Sequence, residues 1–344
     1  MTTNPTRLAD LTTLRVGGPA SRVAIVEDTD ALVAAVQQAD CAGEPVLVVG
    51  GGSNLLAGDT GFDGTVVVVR TRGVRVADVS ACGGATVWVA AGEPWDEFVV
   101  QAVAQGWAGI EALSGIPGLV GATPMQNVGA YGQEVAQTIA SVRTYDRVDR
   151  QLRTFAAAEC GFGYRSSRFK TQPGRYLILE VGFQFRLGDL GAPVAYAELA
   201  RTLGVEPGQR APMTEVRAVV LQLRRGKGMV LDVADHDTWS AGSFFTNPVV
   251  PSDAALPQEA PRYPAGTGRI KSSAAWLIEQ AGFPKGYGLP GPAALSTKHS
   301  LAVTNRGTAT AEDVLALARE VQGGVKDRFG VVLRNEPVLV GCRL

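Results

Sequence analysis

The chain has 344 residues, of which 46% are hydrophobic and 19% are charged, and its formal net charge is -1. This balance is typical of a globular protein, excludes an intrinsically disordered chain and gives no electrostatic reason to expect a nucleic-acid partner. The length favours two or three packed domains over a single hydrophobic core.

The apolar runs and the N-terminus indicate where the protein works. The longest apolar runs, such as 46–49 and 65–69, have the length of strands and fall short of the ~20 residues that a membrane helix needs. Residues 1–13 are polar and do not combine a basic region with an apolar segment, as a secretory signal does. We therefore expect a cytoplasmic protein with no membrane partner.

The cysteines and histidines are too scattered to predict a metal site or a disulfide framework. We interpret the cysteines as small buried residues, and we expect no metal ion in the catalysis. The residues concerned are Cys41, Cys82, Cys160, Cys342, His236 and His299.

In chain order, the first half alternates β-branched runs with Gly-rich turns, which predicts strands at residues 21–26, 45–50, 65–70, 86–91, 141–145 and 176–185. Helices are predicted from Asp28 to Gln38 and from Pro94 to the residue before Gly106. Because few long helices separate the strands, the pattern indicates an α+β fold and not a regular βαβ array.

The second half has more helix, and a second lobe is predicted from about residue 211. One amphipathic helix is predicted from Thr214 to Arg225, and another from Ser272 until Gly282 ends it. Thr310 is expected to cap a long helix with acidic residues in its first turn. Residues 251–268 are rich in Pro, Ala and Gly and are predicted to form a surface loop.

A glycine-rich loop at residues 50–56 follows one apolar run and precedes another. Successive glycines let backbone N–H groups converge on an anion, and Ser53 and Asn54 add donors, so the loop is suited to a diphosphate. Leu55 stands where a dinucleotide-binding fingerprint needs its third glycine, and no helix pattern follows. A purely structural glycine turn is the alternative interpretation of the same residues.

A second glycine-rich segment extends from residue 109 to residue 132 and mixes small residues with Ile, Leu and Val. A plain surface loop is usually more polar, whereas this composition suits a backbone that wraps closely around a flat ligand. The segment is therefore a candidate binding site.

Six ordered motifs make the chain resemble the UDP-N-acetylenolpyruvoylglucosamine reductase family. They cover nearly the whole chain and lie at residues 15–20 (RVGGPA), 50–56 (GGGSNLL), 115–132, 164–170 (YRSSRFK), 241–248 (AGSFFTNP) and 333–338 (LRNEPV). The order of six motifs is more specific than any one of them.

The resemblance implies an α+β FAD-binding fold of the vanillyl-alcohol oxidase and p-cresol methylhydroxylase type, with a C-terminal α+β substrate-binding domain. It places the FAD-binding region at residues 1–210, in lobes of about 1–72 and 73–210, and the substrate domain at 211–344. The final strand would return Glu336 to the active site. The resemblance implies FAD without a covalent bond, and the absence of histidine before His236 is consistent with this.

The implied reaction is the NADPH-dependent reduction of UDP-N-acetylglucosamine enolpyruvate to UDP-N-acetylmuramate, a step of peptidoglycan synthesis and hence of cell-wall growth, cell shape and division. Hydride would pass from flavin N5 to C3 of the enolpyruvyl group. Ser243 would then give a proton to C2, while Arg165 and a protonated Glu336 hold the substrate carboxylate.

The resemblance also assigns binding residues, and it predicts a monomer. The residues implied for FAD are Gly50, Gly51, Gly52, Ser53, Asn54, Leu55, Ser114, Gly115, Pro117, Gly118, Gly121, Ala122, Gln126, Asn127 and Gly129. Those implied for substrate are Tyr164, Tyr196, Lys227, Asn247 and His299, where Tyr196 indicates a subclass with a mobile tyrosine loop.

Two features differ from the usual pattern of the family, and several alternatives stay open. The segment from Lys227 to Ser243 is longer than the family's compact form, and the order around Glu336 is Arg-Asn-Glu-Pro. Taken singly, Arg165 fits a surface cation, Glu336 a strand-edge charge and Ser243 a turn residue. A flavin oxidase of the same fold and a non-catalytic nucleotide-sugar binding protein are the competing hypotheses.

Overall fold

A computed structural model of the protein describes residues 6–344. Its α-helices are α1 (Thr29–Cys41), α2 (Trp95–Ala104), α3 (Arg168–Thr171), α4 (Ala197–Leu203), α5 (Met213–Gly226), α6 (Ala274–Gln280) and α7 (Ala311–Phe329). Its strands are β1 (Ala20–Val26), β2 (Val46–Val49), β3 (Leu55–Ala57), β4 (Phe62–Val69), β5 (Val74–Ser80), β6 (Gly84–Ala90), β7 (Trp107–Ala108), β8 (Gly129–Ala130), β9 (Gln133–Glu134), β10 (Ile139–Asp146), β11 (Gln151–Ala156), β12 (Tyr176–Leu187), β13 (Val249–Pro251), β14 (Tyr263–Pro264), β15 (Arg269–Lys271), β16 (Ala293–Leu295), β17 (Val303–Asn305) and β18 (Val338–Val340).

The predicted α+β class and the main predicted elements are confirmed. All six predicted strands overlap strands of the structure, namely β1, β2, β4, β6, β10 and β12. Asp28 caps α1 by accepting a hydrogen bond from the Ala31 N–H at 2.8 Å. Thr310 caps α7 reciprocally with Asp313, whose carboxylate accepts from the Thr310 N–H at 2.8 Å. Local capping chemistry therefore sets these helix starts.

Two predicted boundaries are wrong. Residues 251–268 are not a loop throughout, because β14 pairs with β15 there, and Pro264 is tolerated since β14 lies at the edge of its small sheet. Helix α6 is capped by Ser273 and not by Ser272. The Ser272 hydroxyl instead donates to the Pro261 carbonyl at 2.9 Å, a contact distant in sequence.

The prediction of buried cysteines holds for Cys160 and is wrong for Cys41 and Cys82, which are exposed. Cys41 is the last residue of α1, and Cys82 lies in the turn between β5 and β6, where neighbouring chain leaves the side chain in solvent. Burial raises the pKa of the Cys160 thiol to about 12, so this thiol stays neutral at physiological pH.

The described residues divide into two compact units. The large unit comprises residues 22–51 and 63–225, and the small unit comprises residues 6–21, 52–62 and 226–344. The functional domain boundary predicted at residues 210 and 211 stays a prediction, because compactness alone assigns no function to either part.

The large unit is built on an antiparallel sheet in the order β11-β10-β12-β6-β5, with β7 pairing to β12. Alternate residues of β12 point to one face, and this places Phe183 and Phe185 against Trp95 and Phe98 of α2. Their ring centroids lie 5.2–6.3 Å apart, a spacing at which aromatic pairs attract each other beyond simple burial. This aromatic cluster is the centre of the large core.

A second sheet of the large unit carries the first glycine-rich loop. Strands β1, β4 and β2 form it in that order, and β2 pairs in parallel with β4, Val46 to Thr65 and Val49 to Val68. The chain leaves this sheet at Gly50. A smaller core of Val194, Leu199, Val216 and Val220 packs α4 and α5 together.

The small unit has short strands and depends on helices and side-chain contacts. The β16–β17 hairpin and helices α6 and α7 surround buried apolar residues that include Leu277, Val303 and Val321. Strand β18 pairs in parallel with β3, Val338 to Leu55. No helix among residues 6–344 is long and apolar enough to cross a membrane.

Candidate active site

The two glycine-rich segments of the sequence meet inside the large unit. A Cβ atom on Gly51 would lie 2.8 Å from the Cα of Gly118, and one on Gly50 would lie 3.3 Å from the Leu119 side chain. Only glycine permits such a backbone approach. Arg70 supports this loop, because its Nη1 donates to the Gly50 carbonyl at 3.2 Å and to the Val69 carbonyl at 2.8 Å.

Ser114 and Gly115 are held by hydrogen bonds within the large unit. The fully buried Ser114 hydroxyl donates to the Glu111 carbonyl at 2.7 Å, and the Gly115 N–H donates to the Asp96 carboxylate at 2.6 Å. Burial acts to raise the pKa of Asp96, but hydrogen bonds from Arg217 and Gly115 outweigh it and lower that pKa. A charged Asp96 therefore holds the backbone at Gly115, within the second glycine-rich segment.

Further along this segment, Gly121 lies close to Ala91, the residue that directly follows β6. The Gly121 N–H donates to the Ala91 carbonyl at 2.9 Å, and a Cβ on Gly121 would lie 2.5 Å from that of Ala91. Residues 120–122 form a 3-10 turn, with Ala122 exposed and Pro117 and Gly118 half-buried. The backbone here is accessible and tightly supported, as a binding surface for a flat ligand requires.

Arg165 is oriented by the backbone of the same segment. Its Nη2 donates to the Gly129 carbonyl at 2.9 Å, and its guanidinium lies 5.7 Å from the Tyr164 ring. The Lys170 ammonium donates to the Arg165 carbonyl at 3.0 Å and to the Gln126 amide oxygen at 3.3 Å. Within the large unit, these contacts bring together four residues predicted for the site: Tyr164, Arg165, Gln126 and Gly129.

Three non-glycine residues around this site have left-handed backbone conformations. Their φ angles are 48° at Asn127, 50° at Tyr131 and 51° at Arg165. The Asn127 side chain donates to Glu134 at 2.7 Å and to the Gly163 carbonyl at 3.2 Å, and these bonds hold the unusual backbone in place. Such conformations persist only where surrounding contacts determine them, and they are concentrated at functional sites.

Tyr196 is placed by Tyr131. The two rings form an edge-to-face contact with centroids 5.5 Å apart, and Tyr196 remains 44% exposed. Tyr196 is the N-cap of α4, so a small change in the preceding backbone moves its ring. Burial lowers the pKa of Arg224, which lies near the end of α5, to about 10, partly offset by Tyr131.

In the small unit, Ser243 and Glu336 lie on adjacent segments. The Glu336 N–H donates to the Phe244 carbonyl at 2.9 Å, and Phe245 forms a bridge with Asn335. The Asn54 amide donates to the Glu336 carbonyl at 3.4 Å, and the Val338 N–H donates to the Asn54 carbonyl at 2.9 Å. Asn54 of the glycine-rich loop is thus joined to the segment that carries Glu336.

Residues 52–55 have distinct local roles in the small unit. Gly52 has a φ of 61°, and a Cβ there would overlap the Leu11 carbonyl, so the third glycine is required by local packing. Ser53 is half-buried, whereas Leu55 is buried in β3. Because a strand and not a helix follows the loop, a dinucleotide-binding fingerprint is excluded by structure as well as by sequence.

The remaining predicted substrate residues also lie in the small unit. Asn247 accepts a hydrogen bond from the Ala274 N–H at 2.9 Å and so holds the first turn of α6. Lys227 immediately follows α5 and is half-buried. The His299 backbone N–H donates to the Ser296 hydroxyl at 3.3 Å. Among residues 6–344, no group of three or more His, Cys, Asp or Glu side chains is arranged to hold a metal ion.

Sequence reasoning missed two buried carboxylates. Glu111 is fully buried and accepts from Gln133, from the Gly109 N–H and from the Ala192 N–H at 2.6–2.7 Å. Asp237 is 4% exposed and joins Thr297 and Arg306. Most partners of these two carboxylates are distant in sequence, so no local pattern marks either residue.

Comparisons with known proteins give matches in both halves of the chain. The family model described as "UDP-N-acetylenolpyruvoylglucosamine reductase, C-terminal domain" matches residues 234–340, and the one described as "FAD binding domain" matches residues 20–154. UDP-N-acetylenolpyruvoylglucosamine reductase of Cutibacterium acnes is 59% identical over 339 residues, covering 98% of this chain and 90% of that protein. The Streptomyces coelicolor reductase of the same name is 55% identical over 353 residues, with the same coverage.

A solved structure matches over the same extent. The crystal structure of UDP-N-acetylenolpyruvylglucosamine reductase from Thermus caldophilus superimposes with a TM-score of 0.65 at 28% identity, covering 97% of each chain. The likeness therefore extends over both halves of the sequence and is not confined to the part that matches an FAD-binding domain.

Proposed function

Because the chain belongs to the UDP-N-acetylenolpyruvoylglucosamine reductase family, we propose that it reduces UDP-N-acetylglucosamine enolpyruvate to UDP-N-acetylmuramate with NADPH. The protein is an FAD-dependent oxidoreductase of peptidoglycan precursor synthesis. The wider consequences proposed here are roles in cell-wall growth, cell shape and division, with the enzyme acting in the cytoplasm as a monomer.

One observation carries the proposal most directly: the pairing of the Ser243 and Glu336 segments. The hydrogen bond from the Glu336 N–H to the Phe244 carbonyl places a hydroxyl and a carboxyl group on neighbouring strands of chain. Gly242, which precedes Ser243, has a φ of 73° and no heavy atom within 4 Å of its Cβ position. Ser243 therefore follows directly on a bend of the chain, and its hydroxyl is the group proposed to deliver a proton to the ligand.

FAD fits the glycine-rich segments. Gly51 and Gly118 approach each other at the backbone, and Gly50 lies against the Leu119 side chain, so the two segments that the resemblance implies for FAD adjoin each other. We propose that residues 50–55 and 114–129 hold the cofactor, with Ser114 and Gly115 acting through the backbone they fix. Bound there, FAD would supply the hydride chemistry that links NADPH to C3 of the enolpyruvyl group.

The residues of the chain complete the reaction by handling charge and a proton. Hydride arrival at C3 leaves negative charge at C2 that spreads into the substrate carboxylate. Arg165, whose guanidinium is fixed by Gly129, offers two parallel donors to that carboxylate, and a protonated Glu336 donates a further hydrogen bond. Ser243 then transfers the proton to C2, helped by the high basicity of the carbon it protonates.

The resemblance assigns further polar residues to substrate binding. Lys227, as a compact cation, would contact the diphosphate, and Asn247, Tyr164 and His299 would contact other polar groups of the nucleotide sugar. Tyr196 would close over the diphosphate, which places the protein in the subclass with a tyrosine loop. Its ring makes an edge-to-face contact with Tyr131, and 44% of the residue is exposed to solvent.

The direct test of the function is an anaerobic absorbance trace of the purified protein in the flavin band. NADPH should bleach the band, and UDP-N-acetylglucosamine enolpyruvate should then restore it with formation of the lactyl ether product. Bleaching without recovery would point to an oxidase, and a folded protein without a flavin band would favour a binding protein.

A further inference from the structure

The segment between Lys227 and Ser243 carries a buried acid that none of the proposed catalytic roles uses. Asp237 lies in the 3-10 turn His236–Thr238, between the predicted phosphate-binding lysine and the predicted proton donor in the chain. Only 4% of the residue is exposed. A buried carboxylate needs several hydrogen-bond partners to compensate for lost hydration, so the identity of those partners indicates what it does.

The Asp237 carboxylate draws on two segments of the small unit. Its Oδ1 accepts from the Thr297 backbone N–H at 2.9 Å and from Arg306 Nη1 at 2.8 Å, and its Oδ2 accepts from the Thr297 hydroxyl. Burial acts to raise the pKa of Asp237, but these hydrogen bonds from Thr297 and Arg306 outweigh it and lower that pKa. A second charged pair, Asp235 with Lys298, also joins the segment of Asp237 to the segment of Thr297.

The backbone of Asp237 also contacts the start of the segment. Gly228 has a φ of 64°, and a Cβ atom there would lie 3.1 Å from the Asp237 carbonyl oxygen and 3.3 Å from the Asp237 Cβ. Gly228 directly follows Lys227. The position of Asp237 therefore limits where the backbone that carries Lys227 can lie.

A second set of contacts leads from the same turn to Ser243. The Ser240 N–H donates to the Thr238 carbonyl at 2.9 Å, and the Gly242 N–H donates to the Ser240 hydroxyl at 3.2 Å. The Thr13 hydroxyl donates to the Ser240 carbonyl at 2.7 Å. Hydrogen bonds through Thr238 and Ser240 thus connect the Asp237 turn to Gly242, the residue directly before Ser243.

We propose that Asp237 is a positioning residue that fixes Lys227 and Ser243 on one rigid support, so that the proton donor keeps its place relative to the bound diphosphate. The inference rests on the proposed function and adds a residue to it. It also gives a purpose to the length of the segment: a longer connection between the two groups needs an internal anchor, and Asp237 with Thr297 and Arg306 supplies one. A misplacement of about 1 Å at a reacting group can cost about 100-fold in rate.

The test is stopped-flow kinetics of Asp237→Asn, with each half-reaction normalised to bound flavin. The limiting rate of flavin reduction by NADPH should stay within about twofold of the unmodified enzyme, because that step needs no proton from Ser243. The limiting rate of reoxidation by UDP-N-acetylglucosamine enolpyruvate should fall about 30-fold, and the half-saturating substrate concentration should rise about tenfold. Arg306→Gln, which keeps both Thr297 hydrogen bonds, should slow reoxidation about fivefold and remains testable if Asp237→Asn folds poorly.

Asp313→Asn is the matched control, because it makes the same chemical change at the α7 cap and should leave both limiting rates per bound flavin unchanged. If the unmodified enzyme is not reoxidised by the enolpyruvyl sugar, the proposed function itself fails. If it is reoxidised, but Asp237→Asn and Arg306→Gln match Asp313→Asn, only the role of Asp237 is overturned. Equal slowing of both half-reactions would also overturn it, since a general structural defect does not distinguish them.

Discussion

The two units hold their candidate site residues by different means. In the large unit, Arg165 and the glycine-rich segment are fixed against an extended antiparallel sheet with an aromatic core. In the small unit, Ser243 and Glu336 lie on irregular segments joined by an isolated backbone bridge, and the turn that precedes Ser243 is held by the buried side chain of Asp237. Regular structure therefore supports the proposed binding surface around Arg165, whereas individual contacts hold the proposed proton donor, Ser243.

The largest effect on stability is expected from a truncation in the aromatic core of the large unit. Phe98→Ala should lower the free energy of unfolding by about 3–5 kcal/mol, because the ring packs on Trp95, Phe183 and Phe185 and leaves a cavity. Denaturant unfolding measures the effect. Val100→Ala, on the exposed side of the same helix, is the control and should change stability by less than about 0.5 kcal/mol.

A smaller effect is expected when the sheet-supported cation is altered without loss of charge. Arg165→Lys should slow flavin reoxidation by substrate about 100-fold, equivalent to about 2.7 kcal/mol, because one ammonium cannot reproduce the two parallel donors of a guanidinium. Rapid-mixing absorbance gives the rate. Arg143→Lys in β10 should leave it unchanged, and a similar loss in that control would show that the effect is not specific to the site.

The glycine contact within the large unit predicts a defect in cofactor affinity. Gly51→Ala should weaken FAD binding about tenfold, or about 1.4 kcal/mol, because the added methyl group would lie 2.8 Å from the Gly118 Cα. Titration of the apoprotein with FAD, followed by flavin fluorescence, measures the dissociation constant. Gly323→Ala in α7 adds the same group in open space and should not change that constant. Unchanged affinity in Gly51→Ala would remove the loop from the proposed FAD site.

The smallest expected effect concerns the Asp96–Arg217 pair and depends on pH. Asp96 has a lowered pKa in the folded protein, so its stabilising contribution is fully present above its unfolded pKa of about 3.8 and is lost as the pH falls through the folded value. Asp96→Asn should therefore cost about 1 kcal/mol at pH 7 for this partly exposed pair, and the difference should disappear as the pH falls through the folded pKa of Asp96. A constant difference across this range would mean that the carboxylate charge is not responsible.

Local pattern predicted much of the large unit. Strands such as β10 and β12 alternate residues in the way a half-buried sheet requires, and the Asp28 cap and the Pro94 boundary are read directly from neighbouring residues. Each glycine-rich segment was identified separately as a candidate binding segment, whereas their contact at Gly51 and Gly118 is seen only in the structure.

The parts that could not be predicted depend on partners distant in sequence. The burial of the Asp237 carboxylate depends on hydrogen bonds from Thr297 and Arg306, and that of Glu111 depends largely on Gln133 and Ala192. Because these partners are distant in sequence, neither acid is marked by its neighbouring residues. The exposure of Cys41 and Cys82 depends on where a helix and a turn end, which a residue's average burial does not reveal. The assignment of Ser243 came from resemblance and not from its chemistry, because a hydroxyl is a weak acid.

In the proposed mechanism, Ser243 supplies the proton of the second half-reaction. The measurement that tests it is single-turnover kinetics of Ser243→Ala under anaerobic conditions, first with NADPH and then with UDP-N-acetylglucosamine enolpyruvate. Flavin reduction should proceed at nearly the unmodified rate, and reoxidation should be slower by several orders of magnitude, since only that step needs the proton. Reoxidation at the unmodified rate, or equal slowing of both steps, would contradict the assigned role.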